Sequence, residues 1–366
     1  MSEPTRVAVV AGVLGGKPGN SGHAWTRISL AVGLQRLGFD VVYVEQLPNA
    51  GPVQRAHFHR VCSEFSIPGY LLAGQPPYEL ISRVENADLL LNVGGHLTIP
   101  ELKDAPRVKV YLDDDPGYTQ LWHLSDLLSG RLEGHDFHFT FGLNIGHPAC
   151  SVPLNGIHWR PMHPPVVLDQ WPRASTQGDG FRTVASWRGD YGRVEAGGQL
   201  YGQKAHEFRR FIHLPQYVDV AFEIALEFDS ADANDVEQMR AHGWNIVHPS
   251  TVVGSPGAFR AYVQESAAEF SVARGIYVET NCGWFSDRTT RFLASGKPAL
   301  IQDTGFARNL PTGEGLVAFT TLEGIVAGAD AIQRDYKAHA SRARSIAEEF
   351  FDSDKVLGHM LDEVGL

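Results

Sequence analysis

The sequence predicts an α/β protein built as two doubly wound halves, and three features carry that expectation. Short β-branched runs alternate with helical segments along the whole chain. A proline-rich stretch near the middle, holding Pro161, Pro164, Pro165 and Pro172, interrupts that alternation. The length, 366 residues, exceeds what one core commonly organises and suits two domains of roughly 150 to 200 residues each.

The first half opens with Arg6 to Leu14 (R-V-A-V-V-A-G-V-L), a β-branched run expected as a strand. The loop Gly15, Gly16, Lys17, Pro18, Gly19, Asn20, Ser21, Gly22 follows, then a helix from His23 to Leu37 whose apolar positions include Ile28, Leu30, Ala31 and Leu34. Gly38 ends it, and Val41 to Glu45 reads as a buried strand, completing a βαβ unit. Further strands are expected at Ala87 to Val93, Val108 to Leu112 and His138 to Leu143. The segment from Trp159 to Gly180 has little periodicity and reads as a linker. Beyond it, strands are expected at Arg182 to Ser186, Ala221 to Glu227, Trp244 to Val247, Gly275 to Glu279 and Pro298 to Gln302. Helices are expected at Lys204 to Phe211, Ala233 to His242, Gly257 to Ala273 and Arg288 to Ser295, with a final helical stretch from Tyr336 to Leu366 long enough to pack across both halves. The alternation implies parallel sheets.

Composition narrows the class. Hydrophobic residues at 43%, charged residues at 20% and 38 glycines describe a folded chain with many tight turns. A formal charge of −11 argues against a general nucleic-acid or anionic-membrane surface while allowing a local basic pocket. Cys62, Cys150 and Cys282 are odd in number and far apart, without a C-x-x-C pair, which fits a reducing cytoplasm. The polar start Met1 to Thr5 leads straight into the first strand, and no apolar run approaches the roughly 18 residues of a membrane span. Sixteen histidines include no H-E-x-x-H and no compact Cys/His cluster.

The most informative stretch is Cys282 to Phe306, C-G-W-F-S-D-R-T-T-R-F-L-A-S-G-K-P-A-L-I-Q-D-T-G-F. Ser286 is placed to cap a helix from Arg288 to Ser295, Asp287 suits its first turn, and Gly296 and Pro298 stop it before a strand. Free backbone N–H groups, the Thr289 and Thr290 hydroxyls and Arg288 would then converge on one point suited to an anion. In open α/β sheets, ligands sit outside the carboxyl ends of the strands. The loops to consider are therefore Gly15 to His23, Gly94 to His96 and Asp113 to Gly117 on one side, and Ser186 to Asp190, His248 to Ser250, Thr280 to Arg288 and Asp303 to Phe306 on the other.

This arrangement, the run ending A-S-G-K-P-A-L-I-Q-D-T-G-F and the closing helix resemble the GT-B superfamily of nucleotide-sugar-dependent glycosyltransferases. More narrowly, W-F-S-D-R-T-T-R-F-L-A-S-G-K-P with L-P-T-G-E-G-L at Leu310 to Leu316 resembles a bacterial group of glycosyltransferase-like proteins. The resemblance implies two Rossmann-like domains facing a cleft, with a C-terminal helix crossing back to the first domain. It divides the chain into an acceptor-binding domain over 1–165, a donor domain over 180–340 and a crossover helix over 341–366. It implies donor-diphosphate contacts from Ser286, Asp287, Arg288, Thr289 and Thr290, a basic pair in Arg188 and Lys204, and base recognition at Val247, His248 and Pro249. Where retaining members carry a glutamate, five residues before the A-x-G glycine, this chain has Arg291, which points to an inverting reaction.

An inverting transfer needs a base for the acceptor hydroxyl. His23, following the glycine loop, is the first choice, because several inverting members of the superfamily place a histidine there; Asp113, Asp114 and Asp115 are the second. The D-x-D pattern in Asp113 to Asp115 is discounted as a metal site, since it lies in the wrong domain for the donor. No metal or other cofactor is therefore expected. Trp284 and Phe285 offer an apolar wall, and Asp303, Thr304 and Gly305 are expected to hydrogen-bond the donor sugar. Gly15, Gly16 and Gly22 let the backbone approach sugar and acceptor; their spacing is not G-x-G-x-x-G, although Glu45 ends the second strand where a dinucleotide ribose would be held. The expected function is a cytoplasmic, metal-independent glycosyltransferase moving a sugar from a nucleotide diphosphate sugar such as a UDP-sugar to an unidentified acceptor. A homo-oligomer remains open. A nucleotide-sugar epimerase of the same fold and a catalytically silent nucleotide-sugar-binding partner are the alternatives.

Overall fold

The computed structural model describes residues 6–366 apart from 129, 190, 191, 193 and 197. The polar start Met1 to Thr5 and the last residue of the Ser186 to Asp190 loop lie outside the described residues. The first sheet is formed by β1 (Val7–Ala11), β2 (Asp40–Gln46), β3 (Gly69–Leu72), β4 (Leu89–Val93), β5 (Val108–Asp113), β6 (Phe137–Thr140) and β7 (Trp159–Pro161). Its order is β3-β2-β1-β4-β5-β6-β7, parallel throughout. The chain then forms β8 (Asp179–Ser186), a small antiparallel hairpin of β9 (Val194–Ala196) and β10 (Gln199–Tyr201), and β11 (Phe222–Glu227), β12 (Asn245–Val247), β13 (Ser266–Ser271), β14 (Ala299–Gln302) and β15 (Leu316–Phe319). The second sheet, β12-β11-β8-β13-β14-β15, is also parallel. The strand order reverses at β1/β4 in one sheet and at β8/β13 in the other, so each domain has a crevice at the carboxyl end of its central strands.

β1 and β4 read as continuous apolar runs because helices cover both faces: Ala8 to Ala11 and Leu89 to Leu91 are fully buried. Four segments depart from the sequence expectation. The expected helix from Gly257 to Ala273 is a helix only over Pro256–Glu265, after which Ser266–Ser271 becomes the central strand β13. Its sequence, S-A-A-E-F-S, has weak strand propensity; tertiary context overrides this by burying every residue and pairing Glu269 with Arg288. The expected strand Gly275 to Glu279 is instead a short helix, since the place between β8 and β14 is already filled by β13. Trp159–Pro161, expected as linker, is the edge strand β7.

The C-terminal stretch is not one helix. Helix Tyr336–Ile346 packs on the second domain, a π turn covers Ala347–Phe351, and helix Ser353–Val364 packs on the first. The break is at Asp352, where Val166 N–H donates to the Phe351 carbonyl at 2.7 Å and Ser353 N–H donates to the Val166 carbonyl at 3.0 Å. The linker thus pairs with the crossover point, and Asp352 Oδ1 caps the new helix by accepting from Asp354 N–H at 3.1 Å.

The first helix, Ser21–Arg36, joins the halves. Trp25 is buried against Trp171, with ring centroids 4.7 Å apart, and its indole N–H donates to the Pro256 carbonyl at 3.0 Å. On its far end Gly33 meets the crossover helix so closely that an added Cβ would lie 2.5 Å from Leu357 Cδ1 and 3.1 Å from Ser353 Cβ. Gly33→Leu is expected to lower stability by about 1–3 kcal/mol through overpacking, despite its better helix propensity. Equilibrium urea denaturation checks this; a stability equal to or above that of the parent would contradict the packing.

Candidate functional site

A cavity of about 520 Å³ lies between the domains. It is lined by the loop after β1 and the start of the first helix, by Asp114 and Asp115 after β5, by Ser186 at the end of β8, by Arg274 after β13, and by Trp284, Ser286, Asp287, Arg288 and Arg291. Both switch points therefore open into one space.

His23 lines it, in the first turn of the helix capped by Asn20, whose Oδ1 accepts from His23 N–H at 3.1 Å. His23 Nε2 lies 2.8 Å from the Val13 carbonyl. A carbonyl can only accept, so Nε2 carries the proton and Nδ1 keeps the lone pair. Burial, with Arg27 and Lys17 nearby, pushes the imidazole pKa well below its usual value. The ring is therefore a neutral base at neutral pH, with its tautomer set by the backbone.

The three aspartates at the end of β5, Asp113 in the strand and Asp114 and Asp115 after it, separate by role. Asp113 is fully buried and accepts from Thr119 Oγ1 (2.7 Å), Gln120 Nε2 (2.8 Å), Thr140 Oγ1 (2.7 Å) and Asp115 N–H (3.1 Å). It does not reach the cavity, which corrects the expectation that it acts as a base. Its work is to hold the turn that presents its neighbours. Asp114 pairs with Arg27 at 2.8 Å, and Asp115 accepts from the Tyr277 hydroxyl at 2.6 Å with Arg274 3.7 Å away. Burial raises the Asp115 pKa against the opposing pull of Arg274.

The helix Asp287–Ala294 begins at the cavity as expected, but Ser286 makes no side-chain cap. Its first N–H groups consequently lack the partner that a cap would supply. Arg288 is held rigidly: Nε donates to Glu269 at 2.6 Å, Nη1 to the Val184 carbonyl at 2.9 Å and Nη2 to Ser271 Oγ at 2.5 Å. Lys204 is buried against the Val272 carbonyl, and burial together with Arg288 and Arg274 lowers its pKa far below that of an exposed lysine. Asp287 accepts from Arg291 Nη2 at 2.8 Å and from the Thr26 hydroxyl across the domain boundary. Against the cost of burial, Arg291, Thr26 and Arg288 hold its pKa below the usual carboxylate value. Six cationic and four acidic side chains line the cavity of a chain whose net charge is −11.

Trp284 stacks on Tyr277 at 4.3 Å and 20°, and both rings line the cavity. His248 lines it too and caps the short helix Pro249–Val252, with Nδ1 2.7 Å from Ser250 Oγ.

Several expected contacts are spent elsewhere. Arg188 lies outside the described lining; its Nε donates to both Asp232 oxygens at 2.8 and 2.9 Å. Thr290 Oγ1 donates to the Asp287 carbonyl at 2.7 Å, and Thr289 faces the helix's buried side. Asp303 accepts from Gly305 N–H at 2.8 Å, Thr304 donates to the Trp284 carbonyl at 2.6 Å, and the Gly305 carbonyl accepts from Asn144 at 3.0 Å. That loop braces Trp284 and the domain junction and leaves the cavity lining to others. Gly22 lines the cavity, whereas the Gly15 and Gly16 N–H groups donate to Glu45 at 2.5 and 2.9 Å. Glu45 thus occupies the donors that a dinucleotide phosphate would need.

Sequence reading missed Lys17, Thr26, Arg27, Arg274 and Tyr277. Arg27 was findable, being four residues from His23 on one helix face. Arg274 and Tyr277 were hidden by reading β13 as helix; with the strand at Ser266–Ser271, Arg274 falls in the loop after its carboxyl end. Among the described residues no group of three His, Cys, Asp or Glu side chains could hold a metal ion, and no described helix is long and apolar enough to cross a membrane.

No protein-family model and no curated protein matches the chain in sequence. Its fold is similar to that of Alr3699/HepE from Anabaena, solved with UDP and glucose (TM-score 0.60, 12% identity, 98% of this chain and 99% of that one). The complex of the same protein with UDP-glucose gives a TM-score of 0.61 at 12% identity, covering 98% of this chain and 100% of that one. WaaG, a glycosyltransferase involved in lipopolysaccharide biosynthesis, matches with a TM-score of 0.52 at 10% identity over 98% of this chain and 99% of that one. These likenesses establish the GT-B fold: two facing Rossmann-like domains with the C-terminal helix crossing back to the first.

Asp113→Ala would leave three buried side-chain donors without their acceptor, at about 1–3 kcal/mol each. A loss of at least about 3 kcal/mol in urea denaturation at pH 8 is expected; a loss under about 1 kcal/mol would mean that Asp113 does not brace the turn. Its folded pKa is raised to about 6 by burial, so protonation favours the folded state. That contribution is complete below the unfolded carboxyl's pKa and is lost as pH rises through 6.

Proposed function

We propose that this protein is a glycosyltransferase that binds a nucleotide diphosphate sugar against its second domain and transfers the sugar to an acceptor hydroxyl presented from the first. The observation that carries this reading is the pairing, across one cavity, of a neutral histidine of fixed tautomer with a wall of cations around an uncapped helix start. The likeness to folds solved with UDP and UDP-glucose supports the same ligand class.

In this reading Arg288, Lys204 and the N–H groups after Ser286 take the diphosphate, and once Lys204 is protonated in the complex these groups, held in place, stabilise the negative charge that grows on it as the sugar departs. These cations also make a metal ion unnecessary for leaving-group stabilisation. His23 Nδ1 removes the acceptor's proton, with Asp115 as the second acid/base group in the cleft. The stacked Tyr277 and Trp284 form an apolar wall for sugar or base, and His248 lies on the base-binding side. An attacking hydroxyl on the face opposite the diphosphate gives an inverted product.

Binding of an anion beside Lys204 raises its pKa, so the complex holds a proton that the free protein lacks between the two pKa values. Calorimetric titration with UDP, dTDP and GDP in buffers of different ionisation enthalpy is expected to show one of them binding with proton uptake. In Lys204→Gln the uptake should vanish and affinity should fall about tenfold. Binding of none of the three, or uptake unchanged in the variant, would sink the donor assignment.

For the base, His23→Ala is expected to lower kcat by about 10²–10⁴-fold, followed as nucleoside diphosphate released from a nucleotide sugar across an acceptor panel. The parent's kcat/KM should stay level as pH falls through about 6.5, the ordinary imidazole pKa, and fall only at lower pH, because burial holds the His23 pKa well below that value. A variant with undiminished kcat would show that another group accepts the proton.

A further inference from the structure

We propose that Arg291, supported by Arg27 across the domain boundary, forms a second anion-binding point in the cleft that reads a carboxylate or phosphate on the transferred sugar or the acceptor. This deepens the glycosyltransferase reading and rests on it.

Arg291 is 1% exposed, lines the cavity, and uses one nitrogen: Nη2 donates to Asp287 at 2.8 Å and to Thr26 Oγ1 at 3.1 Å. Its Nε and Nη1 are buried without a hydrogen-bond partner. A charged donor left unpaired at such depth is costly, and native structures rarely leave one without a reason. Phe259, 5.7 Å from the guanidinium carbon, packs on the group and limits its freedom to turn away. Arg27 is 4% exposed on its side chain, also lines the cavity, and is paired through Nη2 with Asp114. Its Nε, beside Gly12, is likewise buried without a hydrogen-bond partner, so Arg27 adds charge and one further donor to the two that Arg291 supplies.

Burial lowers the Arg291 pKa, and Arg288 and Arg27 add to that against the pull of Asp287. An anion from a ligand would relieve all three effects. The point differs from the diphosphate position: Arg288 and Lys204 are anchored to Val184, Ser271 and Val272 in and just beyond β8 and β13, whereas Arg291 reaches Thr26, one turn from His23 on the first helix. It therefore faces the part of the cleft where sugar and acceptor meet the base. Planar guanidinium groups suit carboxylate and phosphate in particular.

The test uses calorimetry on the full chain, with UDP standing for whichever of UDP, dTDP and GDP binds. One arm compares UDP-glucuronate with UDP-glucose; the other compares glucuronate, glucose 1-phosphate and glucose on protein saturated with UDP. At least about tenfold tighter binding of an acidic member is expected in one arm, naming the source of the anion. In Arg291→Gln the preference should vanish while affinity for the neutral member stays within about threefold; Arg291→Lys should keep part of it. Equal binding of acidic and neutral members in both arms overturns the inference, and wild-type protein alone decides this if a variant does not fold. A preference that survives in Arg291→Gln, or an equal loss for both members, also overturns it. Failure of all three nucleotides removes the donor reading itself.

Discussion

The cleft depends on one helix being shared by two domains. Ser21–Arg36 belongs by sequence to the first sheet, yet Trp25 hydrogen-bonds to Pro256, Thr26 to Asp287, and Gly33 lies under Leu357 of the crossover helix. Trp25, buried against Trp171, supplies apolar contact, and the Thr26–Asp287–Arg291 group supplies direction. Because His23 and Arg27 stand on this same helix, the docking that joins the halves also sets an imidazole and a cation against the charged wall of the second domain.

Most charges in the cleft are paired, and each pair has a geometric consequence. Asp114 and Asp115 orient Arg27 and Arg274; Glu269, buried in a central strand, aims Arg288. Such buried pairs add little net stability once desolvation is counted, but they hold charged groups in fixed positions before a ligand arrives. Lys204 is the exception among these cations, with a backbone carbonyl as its acceptor and a pKa depressed by burial. It is the group whose charge state a bound anion would change most.

The glycine loop after β1 shows how one residue redirects a motif. Glu45, thirty positions away, accepts from Gly15 and Gly16, and its own pKa is raised by burial although those donors oppose the rise. The loop is thereby closed to a phosphate, and only its far end, from Lys17 to His23, borders the cavity. A strand-loop-helix that reads as a nucleotide site becomes the wall that carries His23.

Alternation of period-two and helical segments, a helix start at Ser286 and Asp287, and the position of His23 after a glycine loop are properties of neighbouring residues, and the amino-acid order alone determined them; that Ser286 leaves this start uncapped did not follow from it. Pairings between distant residues were left to the tertiary structure. Arg188 is withdrawn by Asp232, 44 residues on; Asp113 is enclosed by Thr119, Gln120 and Thr140; Tyr277 reaches Asp115 over 162 positions. β13 was hidden for a related reason: Ser266–Ser271 has no strand pattern of its own and is a strand because β8 and β14 flank it and Arg288 neutralises Glu269. Local propensity acts over a few residues, while the free energy of burying a charge depends on whatever the fold places next to it.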